Sequence, residues 1–248
     1  MMIDCGLGPR FVLRNLKELG LDISSLSGVL VTHTHRDHVQ QSMFSYLVDA
    51  GVPVFCPGKV GSVLIHQSEI MEKAGADGLL RSIDGDTLGM GSFGIGLFQV
   101  PHDSPGGCFG YTVMKGSGTA TEKITVATDM GYPTTGLADH FVDSDIIIIE
   151  SNHDRQMLEN SRRPVWLKRR ISEIGHLSND QCAAFVADVI HDSRRLPRAV
   201  VLAHISQTCN TNALAEKCTR DALHRLGHGE VRVVPTHRMK PTDIMSRE

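Results

Sequence analysis

Apolar positions in this chain follow two patterns. Short runs at residues 28–31 (GVLV), 52–55 (VPVF) and 199–203 (AVVLA) predict buried strands, as do KITVATD, ending at Asp129, and DSDIIIIE, ending at Glu150. Residues 2–4 predict a further strand, ended by Cys5-Gly6. Between the runs, apolar residues recur at helical spacing. Phe11, Leu13, Leu16 and Leu19 predict a helix opened by Pro9 and closed by Gly20. Val39, Met43, Phe44, Leu47 and Val48 predict another, starting near Val39 and reaching Ala50, with residues 57–70 mostly helix or turn. From 79 to 115 the texture changes to short glycine-rich β segments, LLRSIDGD, GIGLFQVPH and CFGYTVMK.

The second half carries more helix. Residues 155–160 and 165–171 predict short helices. Ser178, with Gln181 three residues on, forms a capping box that opens a helix with Cys182, Phe185, Val186, Val189 and Ile190 on one face. A helix over 210–226 and a strand over 231–234 complete the pattern. Without linker, repeat or low-complexity tract, the chain is expected to be one domain over 1–248, an α/β sandwich with antiparallel β in the middle.

Five of the apolar strands run into residues that bind metals or move protons. VLVTHTH leads into His33-Thr34-His35-Arg36-Asp37-His38, LFQVPH into His102, ITVATD into Asp129, IIIIESNH into His153 and VVLAHIS into His204. A lone histidine after a strand is more often a satisfied surface residue, so the shared position carries the signal. HxHxDH is the densest stretch, with three imidazoles and a carboxylate inside six residues. His33 and His35 share a face of an extended segment and reach one metal, while Asp37 and His38 follow the turn and can face a second. The plain alternative is a polar loop whose histidines only cap the helix.

Composition narrows this further. With 41% hydrophobic and 21% charged residues the 248-residue chain is an ordinary globular one, and a net charge of −3 gives no global field for nucleic acid. Arg162, Arg163, Lys168, Arg169 and Arg170 are nevertheless crowded just ahead of His176, where a solvated face and a set of phosphate contacts compete as explanations. The six cysteines are scattered with no CxxC pair, which predicts buried thiols in a reducing compartment, the cytoplasm. No run of about 18 apolar residues predicts a membrane span, and the N-terminus carries no secretory pattern.

HxHxDH, the histidine of VPHDSPGG, the aspartate of ATDMGY and the late histidine of LAHIS together resemble the metallo-β-lactamase fold superfamily. The resemblance implies an αββα sandwich with two divalent metals. His33, His35 and His102 would hold one, Asp37, His38 and His204 the other, and Asp129 would bridge them. Zinc and manganese suit such donors, and iron is compatible. ESNHDRQML, LKRRISEIGHLSN and ATDMGY further resemble the YycJ (WalJ) exonuclease group, related to ribonucleases Z and J, along nearly the whole chain. That implies a 5′→3′ exonuclease acting on DNA in repair. Asp37 and His176 would be catalytic, the latter by likeness to a histidine of ribonuclease Z that assists phosphodiester cleavage. His153, Ser178, Arg169 and Arg170 are candidate substrate contacts. Members of the group carry extra N-terminal strands and a GSSGN-like turn ahead of the strand that MMIDCG resembles, so the sandwich is expected to lack its usual first strands. Alternatives are a ribonuclease Z-like RNA nuclease, a PhnP-like small phosphodiesterase or, in a different class, an inactive binding module. Oligomeric state is left open.

Overall fold

The computed structural model describes residues 1–118, 121–238 and 240–242. It divides into two compact units, Met1–Leu97 with Ser104–Phe109, and Phe98–Asp103 with Gly110–Glu248.

In the first unit β1 (Met2–Ile3), α1 (Pro9–Glu18), β2 (Val29–Leu30), α2 (Gln41–Asp49), β3 (Val54–Pro57), α3 (Gly58–Ile65), α4 (Glu69–Ala76) and β4 (Leu80–Ile83) follow in order. The strands form a four-stranded sheet in sequence order, every pair parallel. Helical crossovers between neighbouring strands account for that direction. Val29, Val31, Val54 and Cys56 bury against Met43, Phe44 and Leu47 of α2 and Val60 and Leu64 of α3. Each such side chain stabilises the unit by about 1.5–3 kcal/mol relative to exposure. A hairpin follows: β5 (Thr87–Met90) pairs antiparallel with the start of β6 (Phe93–Val100), with Met90 opposite Phe93.

The second unit holds β7 (Cys108–Lys115) from Gly110 onward, β8 (Glu122–Ala127), β9 (Ile146–Glu150), α5 (Arg155–Glu159), α6 (Val165–Arg170), α7 (Asn179–Asp192), β10 (Ala199–Ala203), α8 (Asn212–Arg225) and β11 (Arg232–Pro235). Its strands lie in the order β11-β10-β9-β8-β7. All pairs are parallel except β7 with β8. Ile146, Ile147 and Ile149 of the IIII run are buried and Ile148 partly so, as suits a central parallel strand. Phe185 of α7 meets Phe141 edge-on at 5.2 Å between ring centroids. Ser178 and Gln181 make the capping box, worth about 1 kcal/mol.

Several boundaries differ from expectation. The helix predicted from Val39 starts at Gln41, because Val39 pairs with Cys5 in an isolated bridge and Gln40 donates to the Cys5 carbonyl. The span 57–70 yields α3 and the start of α4, separated by a break at which the Ser68 hydroxyl caps α4. The helix predicted over 165–171 stops at Arg170 and continues as a π-turn, Ile171–Gly175. The six cysteines are free thiols, five of them buried. Burial pushes the thiols of Cys5, Cys56 and Cys182 up to about 12, so these behave as small apolar side chains. Among the described residues no helix is long and apolar enough to cross a membrane.

Candidate metal centre

Parallel strands deliver their carboxyl ends to the same edge of a sheet, and each unit concentrates its chemistry there. In the first unit Asp4 directly follows β1 and Thr32-His33 follow β2. Backbone N–H of Asp4 donates to the Leu30 carbonyl at 2.7 Å. The Asp4 carboxylate accepts from the Thr32 amide at 2.8 Å and the Thr32 hydroxyl at 2.9 Å, and from His38 Nδ1 at 2.7 Å. Because the Thr32 hydroxyl proton goes to Asp4, its oxygen accepts from His33 Nδ1 at 3.0 Å. His33 and His38 are thereby held as Nδ1–H tautomers, with the Nε2 lone pair available to a metal. His33 Nε2 lies 3.1 Å from His35 Nδ1, and the His33 and His38 rings are 4.1 Å apart. Asp37 has a 67% exposed side chain, with Oδ2 at 3.9 Å from His38 Nε2.

This loop needs Gly6. A Cβ there would sit 1.6 Å from the Asp37 carbonyl oxygen. The close approach lets Cys5 N–H donate to the His38 carbonyl at 2.7 Å and fixes the loop against the turn after β1.

In the second unit Asp129 lies two residues beyond β8, Glu150 ends β9 and His204 directly follows β10, with Glu150 opposite Ala203 in the register. One ligand atom from each of Asp129, Glu150, His176 and His204 lies within 4.8 Å of those of the other three. Glu150 is fully buried and organises the group. Its Oε1 accepts from His176 Nδ1 at 2.9 Å and His204 Nδ1 at 2.6 Å, and its Oε2 from the amides of Met130 and Leu177. Burial alone would raise this carboxyl, but the charge of His176 and the hydrogen bonds from both histidines outweigh it and hold it low. On His176 burial pulls the pKa down, and the Glu150 charge and hydrogen bond, with Asp129 behind them, bring it above its ordinary value. Asp129 and His204 both adopt left-handed backbone, at φ 57° and 53°, as does Asp4 at 58°. Strain of this kind is concentrated where side chains must be aimed.

His102 completes the second unit's donors. Its Nδ1 donates to the Gly175 carbonyl at 2.8 Å, a partner that can only accept, so Nε2 carries the lone pair and lies 3.8 Å from Asp129 Oδ1. The π-turn supplies that carbonyl. The Asp129 loop presses on the same turn at Gly131, where a Cβ would come within 2.4 Å of the Ile174 backbone. Imidazole nitrogens with fixed tautomers and a buried carboxylate oxygen are the donor chemistry that zinc and manganese take.

The remaining candidates are placed less openly. His153 is 1% exposed. Its Nδ1 is buried without a hydrogen-bond partner, and burial pushes the ring down to about 4 despite the Glu150 charge. Ser178 is buried and its hydroxyl serves the α7 cap. Arg169 is exposed on α6, and Arg170 pairs with Asp103, next to His102. Burial raises the Asp103 carboxyl, and the Arg170 guanidinium reverses this to hold it below its usual range. Sequence reasoning missed Asp4 and Glu150. Both carry the signal that marks the histidines, a polar residue at the end of an apolar strand, but at Glu150 the more conspicuous His153 lies three residues on.

The chain belongs to the beta-lactamase superfamily domain family, whose model matches residues 1–205. It is a metal-dependent hydrolase of the metallo-β-lactamase fold. Among individual relatives it is 29% identical to Exodeoxyribonuclease YycJ of Bacillus anthracis over 243 residues, which covers 97% of this chain and 87% of the relative. Two solved structures share the fold at low identity. The metallo-beta-lactamase fold protein YhfI from Bacillus subtilis gives a TM-score of 0.65 at 13% identity, over 95% of this chain and 84% of that one. The Zn(2+)-bound PqqB from Methylobacterium extorquens gives 0.64 at 16% identity, over 98% and 83%.

Proposed function

We propose that this protein is a two-metal phosphodiesterase of the cytoplasm that removes nucleotides from DNA in the 5′→3′ direction, in the service of repair. The observation that carries the reading is the cluster of Asp129, Glu150, His176 and His204, in a chain similar over 97% of its length to an exodeoxyribonuclease. The ligands proposed are those the family likeness implies: His33, His35 and His102 for one metal, Asp37, His38 and His204 for the other, and Asp129 for both. A metal pair so bound would supply Lewis acidity toward phosphate oxygens and lower the pKa of a nearby water.

The chain's own groups do the rest. Asp37, exposed on the loop, accepts a proton from the attacking water and orients it. Glu150 favours the protonated form of His176, which donates from Nε2 to the oxygen that leaves. Arg169 and Arg170 contact phosphates along the strand. His153 and Ser178 position the segment around His176: His153 bridges Ser178 by backbone pairing, and the Asn179 amide donates to the His153 carbonyl at 2.9 Å.

Chelation followed by reconstitution with Mn²⁺ or Zn²⁺ tests the reading, with Asp37→Ala alongside. The reconstituted protein should degrade DNA, and Asp37→Ala should stay folded and inactive. Retained turnover in that variant would remove Asp37 from the mechanism, and DNA degradation unaffected by chelation would remove the metals.

A further inference from the structure

The most exposed large apolar side chains among the described residues are Val165, 70% exposed, and Trp166, 65% exposed, at the start of α6. Trp166 is the chain's one tryptophan. An indole left in water at the tip of a short helix costs hydrophobic free energy. Its surroundings are cationic. Between 162 and 173 the chain carries Arg162, Arg163, Lys168, Arg169 and Arg170 against the single acid Glu173.

Two of those cations are tied down locally, Lys168 on the Glu159 carbonyl and Arg163 on the Thr208 hydroxyl at 3.0 Å. Arg162 and Arg169 are exposed. Arg169 and Arg170 stand three and four residues after Trp166, so the indole and both guanidinium groups share one face of the helix. The direction of that face is set by Arg170, which is bound to Asp103, the neighbour of the candidate ligand His102. The same segment runs through the π-turn into His176. Trp166 is ten residues before His176, on the order of 15 Å along a helical path, which is a few nucleotides from the reacting phosphate.

We propose that Trp166 is a base-stacking platform for single-stranded DNA, with Arg162 and Arg169 gripping the flanking phosphates, so that α6 holds the strand leading into the site. An exposed aromatic face beside exposed guanidinium groups is an arrangement that binds unpaired strands without reading their sequence. A duplex buries its base faces and gains only the phosphate contacts. The inference rests on the nuclease reading above and adds the form of the substrate.

The sole indole is also the reporter. The metal-loaded chain is mixed with a thymidine oligonucleotide, and tryptophan fluorescence and strand digestion are followed in the same sample. A matched abasic strand, a duplex and phosphatidylglycerol vesicles serve as comparisons. Saturable quenching by the thymidine strand is expected. Binding of a dye-labelled strand, read by anisotropy because the variants lack the indole, should weaken about ten-fold or more in Trp166→Ala, recover partly in Trp166→Tyr, and show no such difference on the abasic strand. Arg162→Ala with Arg169→Ala should flatten the salt dependence and leave the saturated quench intact. Digestion without quenching overturns the platform and leaves the nuclease reading standing. Equal effects of Trp166→Ala on thymidine and abasic strands also overturn it. Quenching by vesicles but not by the oligonucleotide assigns the patch to a lipid surface. Neither binding nor digestion of any strand removes both readings together.

Discussion

Oε1 of Glu150 accepts from Nδ1 of His176 at 2.9 Å, and Glu150 has no exposed surface. The carboxylate holds the imidazole by the nitrogen that cannot then reach substrate, and leaves Nε2 for the reaction. Glu150→Gln keeps the shape and removes the charge. It should slow phosphodiester cleavage by about 10²–10⁴-fold. Glu150→Ala leaves buried partners uncompensated and should destabilise the metal-free protein by about 3–5 kcal/mol, read by denaturant unfolding. A double variant with His176→Ala should be no slower than the slower single variant, because the two residues act as one unit.

His176→Ala by itself separates proton donor from ligand. Cleavage should fall by about 10²-fold or more while metal content, measured by mass spectrometry, stays at the wild-type level. Loss of one metal equivalent would make His176 a ligand and reopen the assignment of His204.

Asp4 fixes His38 directly and His33 through the Thr32 hydroxyl. Asp4→Asn suits the test because asparagine tolerates the left-handed backbone at φ 58°. The variant should fold, bind metal about 10–100-fold more weakly in a competition titration with a chelator, and lose activity in proportion. Unchanged affinity would show that the tautomers are fixed by other means.

His153 gives a pH signature. Its pKa is pushed down to about 4 from an ordinary 6.5, so between those values the unfolded chain binds a proton that the folded chain refuses. Stability therefore falls as pH drops through this window. The raised His176 contributes fully below 6.5, and the lowered Glu150 holds its contribution down to its ordinary 4.5. Between 6.5 and 4.5 the contribution of His153 is thus the one of these three that changes. Thermal melts of the metal-free protein should show wild type losing stability over this range and His153→Gln losing distinctly less. Parallel curves would mean that the ring is protonated in the folded state.

Residues with local signatures were legible in the sequence. The strands were legible from apolar runs, though β3 lies two residues later than VPVF and β8 stops at Ala127, short of Asp129; the α7 start was legible from Ser178 and Gln181, and the HxHxDH loop from its spacing. Asp4 and Glu150 were not, because their meaning depends on which strand lies alongside: Asp4 matters through Thr32 and His38, and Glu150 through His176 and His204. The π-turn at Ile171–Gly175 has the composition of ordinary helix. Its break is enforced by tertiary contacts, the Gly131 backbone pressing on Ile174 and His102 taking the Gly175 carbonyl. The α2 start was placed early since Val39 fits the helical period as well as it fits the bridge to Cys5.

Two-metal 5′→3′ digestion is tested by following paired 5′- and 3′-labelled single-stranded DNA as Mn²⁺ or Zn²⁺ is titrated into the metal-free protein. Stepwise release from the 5′ end that saturates at two metal equivalents per chain is expected. Loss from the 3′ end, cleavage confined to RNA or to small phosphodiesters, or full activity at one equivalent would contradict it.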